Sequence, residues 1–185
     1  MPMPRDGKQL LKGLWNEGVG AVNFILVLPQ ELKSDGRVEI EGTRATYVYE
    51  FHDLKEGLTV AALCRGGGRG TAKVVSLAPD RIVLEASFRS PPPDKLRIEA
   101  IVGLSRPLTV KKVIQAISSL GVPALHLVPS YKGEKSYLTS KGLEPVAIES
   151  EINKALEQSG DPIPPDITVY SSFGEFLERN RERIG

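Results

Sequence analysis

Two tyrosines and two lysines fall within seven residues in the segment Tyr131-Lys132-Gly133-Glu134-Lys135-Ser136-Tyr137. Aromatic rings can stack on unpaired bases while ammonium groups meet the intervening phosphates, so this mixture suits a single-stranded nucleic acid. Tyr137 is the stacking candidate, and Lys132 and Lys135 are the phosphate candidates. Arg106, Lys111 and Lys112 lie shortly upstream. Arg65 and Arg69 flank the glycines of Arg65-Gly-Gly-Gly-Arg69-Gly70, a run that fits a hairpin turn and from which both side chains can reach phosphates. Between Arg65 and Lys141 there are 13 Lys or Arg against 5 Asp or Glu, a surplus of +8 in a chain whose net charge is +1. A clustered surplus of that kind is the electrostatic footprint of phosphate binding, although a solvated basic surface gives the same count.

Other chemistries find little support. The glycine run precedes a strand and not a helix, so it lacks the helix N-terminus that phosphate-binding fingerprints exploit. No nucleophile elbow is present. Glu149 and Glu151 are expected on a solvated helix face and are not read as a catalytic pair. With two histidines and one cysteine, a metal centre is not expected. Cys64 sits in an apolar run and reads as a small core residue.

The elements that must hold these side chains follow from periodicity. Leu96–Leu104 alternates as a strand, Val110, Val113, Ile114, Ile117 and Leu120 recur on one face of a helix opened by Pro107, and Ala124–Val128 is a short apolar strand. Together they form a βαβ unit, and the Tyr131–Tyr137 segment follows the carboxyl end of its second strand, where open α/β sheets place ligand sites. A polar stretch over 130–142, a helix over Pro145–Ser159, a strand over Ile167–Tyr170 and a last helix capped by Ser172 with Glu175 complete this half. The earlier residues read as mostly β: strands over Phe24–Leu28, Arg37–Glu41, Leu58–Cys64, Thr71–Leu77 and Arg81–Phe88, with a helix over Thr43–Phe51. Short strands joined by tight turns predict a small barrel. Residues 1–22, with a short helix over Lys8–Trp15, read as an extension. The prolines 91–93 are a stiff connector and the expected boundary between units 23–91 and 92–185.

The composition, 41% hydrophobic and 25% charged, is that of a globular protein. No apolar run approaches the roughly 20 residues that span a bilayer. The N-terminus lacks a secretory signal, so the expected location is cytoplasmic and no membrane partner is expected.

In order along the chain, Asn23–Pro29 (NFILVLP), Leu54–Gly57, the glycine turn, the proline bridge, Gly103–Pro107 (GLSRP), Val113–Val122, Leu127–Tyr131, Glu134–Tyr137 (EKSY) and Ala155–Asp161 (ALEQSGD) resemble the bacterial ribosomal RNA small subunit methyltransferase E family. The resemblance implies an α+β and α/β fold: an N-terminal PUA-like β-barrel followed by a SPOUT-type α/β domain with parallel strands. It implies methylation of N3 of one uridine in 16S rRNA with S-adenosylmethionine as cofactor, the small ribosomal subunit as partner, and a homodimer.

The chain also departs from that pattern. Leu108 stands where the family commonly has Lys, and Arg44-Ala-Thr-Tyr-Val-Tyr-Glu-Phe-His-Asp53 stands where the family has a basic, histidine-containing helix. The family's Gly-Pro-Glu-Gly-Gly cofactor loop and the knot after it have no counterpart in these residues. The expectation is therefore a barrel plus the first half of the methyltransferase domain. No cofactor-binding or catalytic residue is assigned, and the chain is not expected to methylate alone. Two other readings of the same residues stand beside this one: a non-catalytic RNA-binding module derived from the family, and a protein-interaction domain with an incidental basic face.

Overall fold

The computed structural model describes residues 24–184 apart from 96 and 132. The extension over 1–22 and the candidate Lys132 lie outside the described residues. Strands β1 (Ile25–Val27), β2 (Arg37–Glu41), β3 (Thr59–Cys64), β4 (Arg69–Leu77) and β5 (Arg81–Ser90) form one sheet in the order β1-β3-β4-β5-β2. Strands β6 (Glu99–Gly103), β7 (Ala124–Val128) and β8 (Asp166–Val169) form a second, parallel sheet in that order. Helices α1 (Gly42–Phe51), α2 (Pro107–Ser119), α3 (Pro145–Ser159), α4 (Phe173–Arg179) and α5 (Arg181–Ile184) complete the molecule. Among the described residues no helix is long and apolar enough to cross a membrane.

The first sheet is a half-barrel, in keeping with the small barrel that its short strands suggest but open along one side. β1 and β2 are its two edges and do not pair with each other, while β1 lies parallel to β3 and the remaining pairs are antiparallel. The concave side is filled by Val38, Ile40, Ala62, Val74, Ile82 and Leu84 against Ala45 and Val48 of α1. At the start of β4 the ladder with β5 shifts register between Arg69 and Gly70. The chains come so close there that a Cβ on Gly70 would stand 1.8 Å from the Ser87 carbonyl oxygen, which only glycine permits.

The parallel sheet is covered on one face by α2 and α3. Val110, Ile114, Ile152 and Leu156 meet Leu125 and Leu127 in a second core. β1 is shared between the two cores. Its side chains alternate, so Ile25 and Val27 point into the half-barrel while Leu26, with Leu63 of β3, points into the second core.

Hydrogen bonds reinforce the joint. Phe24 N–H donates to the Glu157 carbonyl at 3.0 Å and Gly66 N–H to that of Pro162 at 2.8 Å. Gly160 ends α3 at φ 73°, where a Cβ would stand 2.6 Å from the Phe24 ring. Lys95, just beyond the prolines, donates to Asp161 at 2.6 Å and to the Ile163 carbonyl at 2.9 Å.

Arg44 of α1 reaches into the same joint. Its guanidinium donates to Glu31 at 2.5 Å and to the Leu26 carbonyl, and lies 3.9 Å from Glu157. Burial pushes the Glu157 carboxyl from its ordinary 4.5 up to about 7; Arg44 opposes the rise and Glu31 adds to it. The folded protein thus binds a proton at Glu157 more tightly than the unfolded chain does. The stabilisation this brings is complete below pH 4.5 and is lost as the pH rises through 7. Glu157→Gln keeps the neutral form at every pH, so its melting temperature relative to the parent should rise by about 5 °C between pH 5 and pH 8 in calorimetric scans. A constant difference across that range contradicts the assignment.

Candidate nucleic-acid interface

The carboxyl ends of all three parallel strands open into one cleft of about 530 Å³. Leu104, directly after β6, supplies one wall; Pro129, Ser130 and Tyr131, directly after β7, supply a second; Ser171, Ser172 and Phe173, beyond β8, supply the third. Gly133, Glu134, Lys135 and Leu138 close the remaining side. This is the crevice in which open α/β sheets hold ligands, because the loops there diverge from a rigid edge. The stretch from 130 to 142 is more ordered than its polar composition suggests. It forms two 3-10 turns, Lys135–Thr139 and Lys141–Leu143. The second is capped by the Ser140 hydroxyl, which accepts from the Gly142 N–H at 3.1 Å.

The structure divides the basic candidates into two sets. Arg106, exposed at the N-terminus of α2, Lys112 on its outer face and Lys135 at the cleft are held by no ion pair among the described residues. Arg65 instead pairs with Glu149 of α3 at 2.5 Å, and its backbone N–H donates to Val27, which makes it part of the joint. The Arg69 Nε is buried with no hydrogen-bond partner among the described residues. Lys111 lies 3.3 Å from Glu151.

Glu151 itself corrects an expectation. It is buried between α2 and α3, where Gln115 donates to it at 2.6 Å and Lys111 and Lys154 each lie at 3.3 Å. Burial acts to raise its carboxyl, but the hydrogen bonds from Gln115 and Lys111 and the charge of Lys154 outweigh it and hold the group below the usual carboxylate range. Its partner in the sequence, Glu149, is exposed and serves the joint.

The two tyrosines of the segment differ in setting. Tyr137 is half-buried against the second core, whereas Tyr131 stands fully exposed on the cleft wall and Phe173 is 56% exposed opposite it. The sequence signal for Tyr131 was its position directly after a strand end. The hydroxyls of Ser171 and Ser172 are engaged in the helix start. Ser171 donates through N–H and O–H to Glu175, and Ser172 accepts the Glu175 N–H at 3.0 Å. Cys64 is half-buried, and burial pushes its thiol up, so it is chemically quiet.

A family model described as an RNA methyltransferase domain matches residues 92–184, a segment that contains every wall of the cleft. The chain belongs to that family. It is also similar to the ribosomal RNA small subunit methyltransferase E of Treponema pallidum, at 26% identity over 167 residues; these cover 89% of this chain and 62% of that protein. The chain therefore spans less than two thirds of the length of this relative. Two solved structures share the fold at a TM-score of 0.65. One is a Legionella pneumophila protein described as a methyltransferase with bound S-adenosylmethionine, at 15% identity, with 84% of this chain and 66% of that one aligned. The other is a ribosomal RNA small subunit methyltransferase E from Neisseria gonorrhoeae bound to S-adenosylmethionine, at 18% identity and covering 84% and 65%. At those identities the likeness is one of fold.

The different settings of the two tyrosines are measurable. Tyr137→Ala should cost about 2 kcal/mol through poorer packing, while Tyr131→Ala should stay within about 0.5 kcal/mol of the parent in urea denaturation. Equal effects contradict the placement of the two rings.

Proposed function

We propose that this chain is the RNA-engaging part of an S-adenosylmethionine-dependent ribosomal RNA methyltransferase of the uridine-N3 type. In this reading the half-barrel is PUA-like, the parallel sheet is the first half of a SPOUT-type domain, and the active species is a homodimer acting on 16S rRNA in the cytoplasm. The unit boundaries are those read at the proline bridge: 1–22, 23–91 and 92–185. The observation that carries the proposal is the cleft of the family-matched segment, which has apolar walls, an exposed tyrosine and Lys135, unpaired among the described residues, in its lining, with Arg106 two residues beyond Leu104. Leu104, Leu138 and Phe173 can accept a base, Tyr131 can stack on its neighbour, and Arg106 and Lys135 can meet the phosphates.

The residues of the cleft do not fit S-adenosylmethionine as a complete pocket. The hydroxyls of Ser171 and Ser172 are engaged at the start of α4, and both Glu175 oxygens are engaged, by Ser171 and Arg179. What is left is an apolar wall with Ser130, Glu134 and Lys135 beside it, where the Lys135 ammonium offsets the Glu134 carboxylate and leaves no net negative charge for a sulfonium cation. No described residue is assigned to the cofactor, and no chemical step is routed through it.

The reading separates two classes of basic residue in one experiment. Fluorescence anisotropy with a single-stranded 16S rRNA fragment should show affinity falling with salt. Arg106→Ala with Lys135→Ala should flatten the slope of log K against log[salt] by about 1.4, at about 0.7 for each phosphate that is no longer neutralised. Arg65→Ala, which removes an ion pair of the joint, should leave that slope unchanged. RNA affinity independent of salt would favour a protein-interaction domain instead. Calorimetry with S-adenosylmethionine should show no micromolar binding by the 185-residue chain, and a micromolar isotherm would overturn the absence of a cofactor pocket from the cleft.

A further inference from the structure

The face of the parallel sheet turned away from α2 and α3 carries a polar chain that is buried at His126, Tyr170 and Asn180 and reaches the surface at Glu99. The Glu99 carboxylate on β6 faces His126 on β7, with its Oε2 2.9 Å from Nε2. The other ring nitrogen, Nδ1, lies 2.9 Å from the Tyr170 hydroxyl, one residue past β8. Asn180 donates to that hydroxyl at 3.1 Å and to the Phe176 carbonyl at 2.8 Å, and Arg183 donates to the second Glu99 oxygen.

Chemistry gives the chain one direction. A carboxylate only accepts, so Nε2 of a neutral His126 carries the proton and Nδ1 accepts. The Tyr170 O–H must then donate to Nδ1, which leaves its oxygen to accept from Asn180. The His126 hydrogen bond, followed by Arg183, holds the Glu99 carboxyl below its ordinary range, consistent with an acceptor at neutral pH. Every polar atom in the series has a partner under this one assignment.

The three strands tied by this chain are the three whose ends are the walls of the cleft. Glu99 lies four residues before Gly103, the end of β6; His126 lies two before Val128, the end of β7; and Tyr170 directly precedes Ser171. Ring contacts carry the linkage to the third wall: Tyr170 meets Phe176 edge-on at 5.2 Å, and Phe176 meets Phe173 at 6.2 Å. α2 and α3 pack on the other face, against Leu125 and Leu127. We propose that the series Asn180–Tyr170–His126–Glu99 is a positioning network that sets the spacing of the three cleft walls, with His126 and Tyr170 as positioning residues for the RNA contact. The RNA half of this proposal rests on the function proposed above; the network half stands on geometry alone.

Tyr170→Phe removes one hydroxyl and keeps the ring, so it tests the network in a folded chain. Hydrogen exchange at the amides of 130–135 and 171–174 should quicken by about tenfold, as expected for removal of one buried hydrogen bond, with β2–β5 unchanged. Unchanged exchange, or a uniform rise over the whole molecule, overturns the network. Glu99→Gln retains an acceptor and should hold the parent rates, whereas Glu99→Ala should reproduce the loosening; equal behaviour of the two also overturns it. At fixed salt, Tyr170→Phe should weaken binding of the rRNA fragment by about 3- to 10-fold, and combination with Lys135→Ala should be less than additive because both act on one cleft. Additive effects refute the positioning of the RNA contact. A parent chain that binds no RNA refutes the RNA reading, and the exchange rates then decide the network by themselves.

Discussion

A three-residue strand belongs to two cores at once, and the arrangement of the molecule depends on it. Ile25 and Val27 close the half-barrel while Leu26 enters the core beneath the parallel sheet. Period-two alternation makes this possible, since one strand can present apolar side chains on both faces only where both faces are covered. The consequence is that the two units cannot be separated without exposing Leu26 and Leu63. The Leu26 carbonyl then lies within the joint and takes a donor from Arg44. A guanidinium drawn into that position needs carboxylates, which Glu31 and Glu157 supply. One cation between two acids leaves the joint short of positive charge, and burial resolves the shortage by favouring a proton on Glu157.

The same logic divides the basic residues. A surplus of +8 in the central segment is a property of the chain, but what a phosphate meets depends on which cations remain unpaired after folding. Arg65 and Lys111 are drawn to Glu149 and Glu151, acids of a helix that packs beside them. Arg106, Lys112 and Lys135 are left facing outward. Both partnered residues lie near the packing of α3, where an unpaired charge is costly; the outward ones lie where water solvates them until a ligand arrives.

Elements with strong local signals were legible from residue order. The spacing of Val110, Val113, Ile114 and Ile117 gave α2, and the prolines and apolar run around Ala124–Val128 gave β7. The cleft position followed from strand polarity. What the sequence could not display was closure and partnership. The number of short strands does not reveal that β1 and β2 fail to meet, because pairing of sheet edges is decided by long-range register. Glu151 looked solvated because the Gln115, Lys111 and Lys154 that surround it converge only when α2 and α3 pack. Tyr137 and Tyr131 are chemically identical in sequence, and a 3-10 turn over Lys135–Thr139 directs one to the core and leaves the other at the rim. The Glu99, His126, Tyr170 and Asn180 series draws its members from four separate elements and carries no local motif.

The family match and the cleft coincide in a way that constrains how RNA can be read. Every lining residue falls between Leu104 and Phe173, inside the matched segment 92–184, so the half-barrel supplies none of the cleft. The glycine-rich hairpin between β3 and β4 reaches the other unit together with β1 and Arg44, and its Arg65 is already engaged with Glu149 there. The half-barrel meets the family-matched segment at the joint, on α3 and on the stretch that leads from it to β8. Under the proposed function, a substrate that touches both units would have its register set by β1 and the Arg44 cluster, so the rigidity of the joint, more than the count of cations, would govern which nucleotide reaches the cleft.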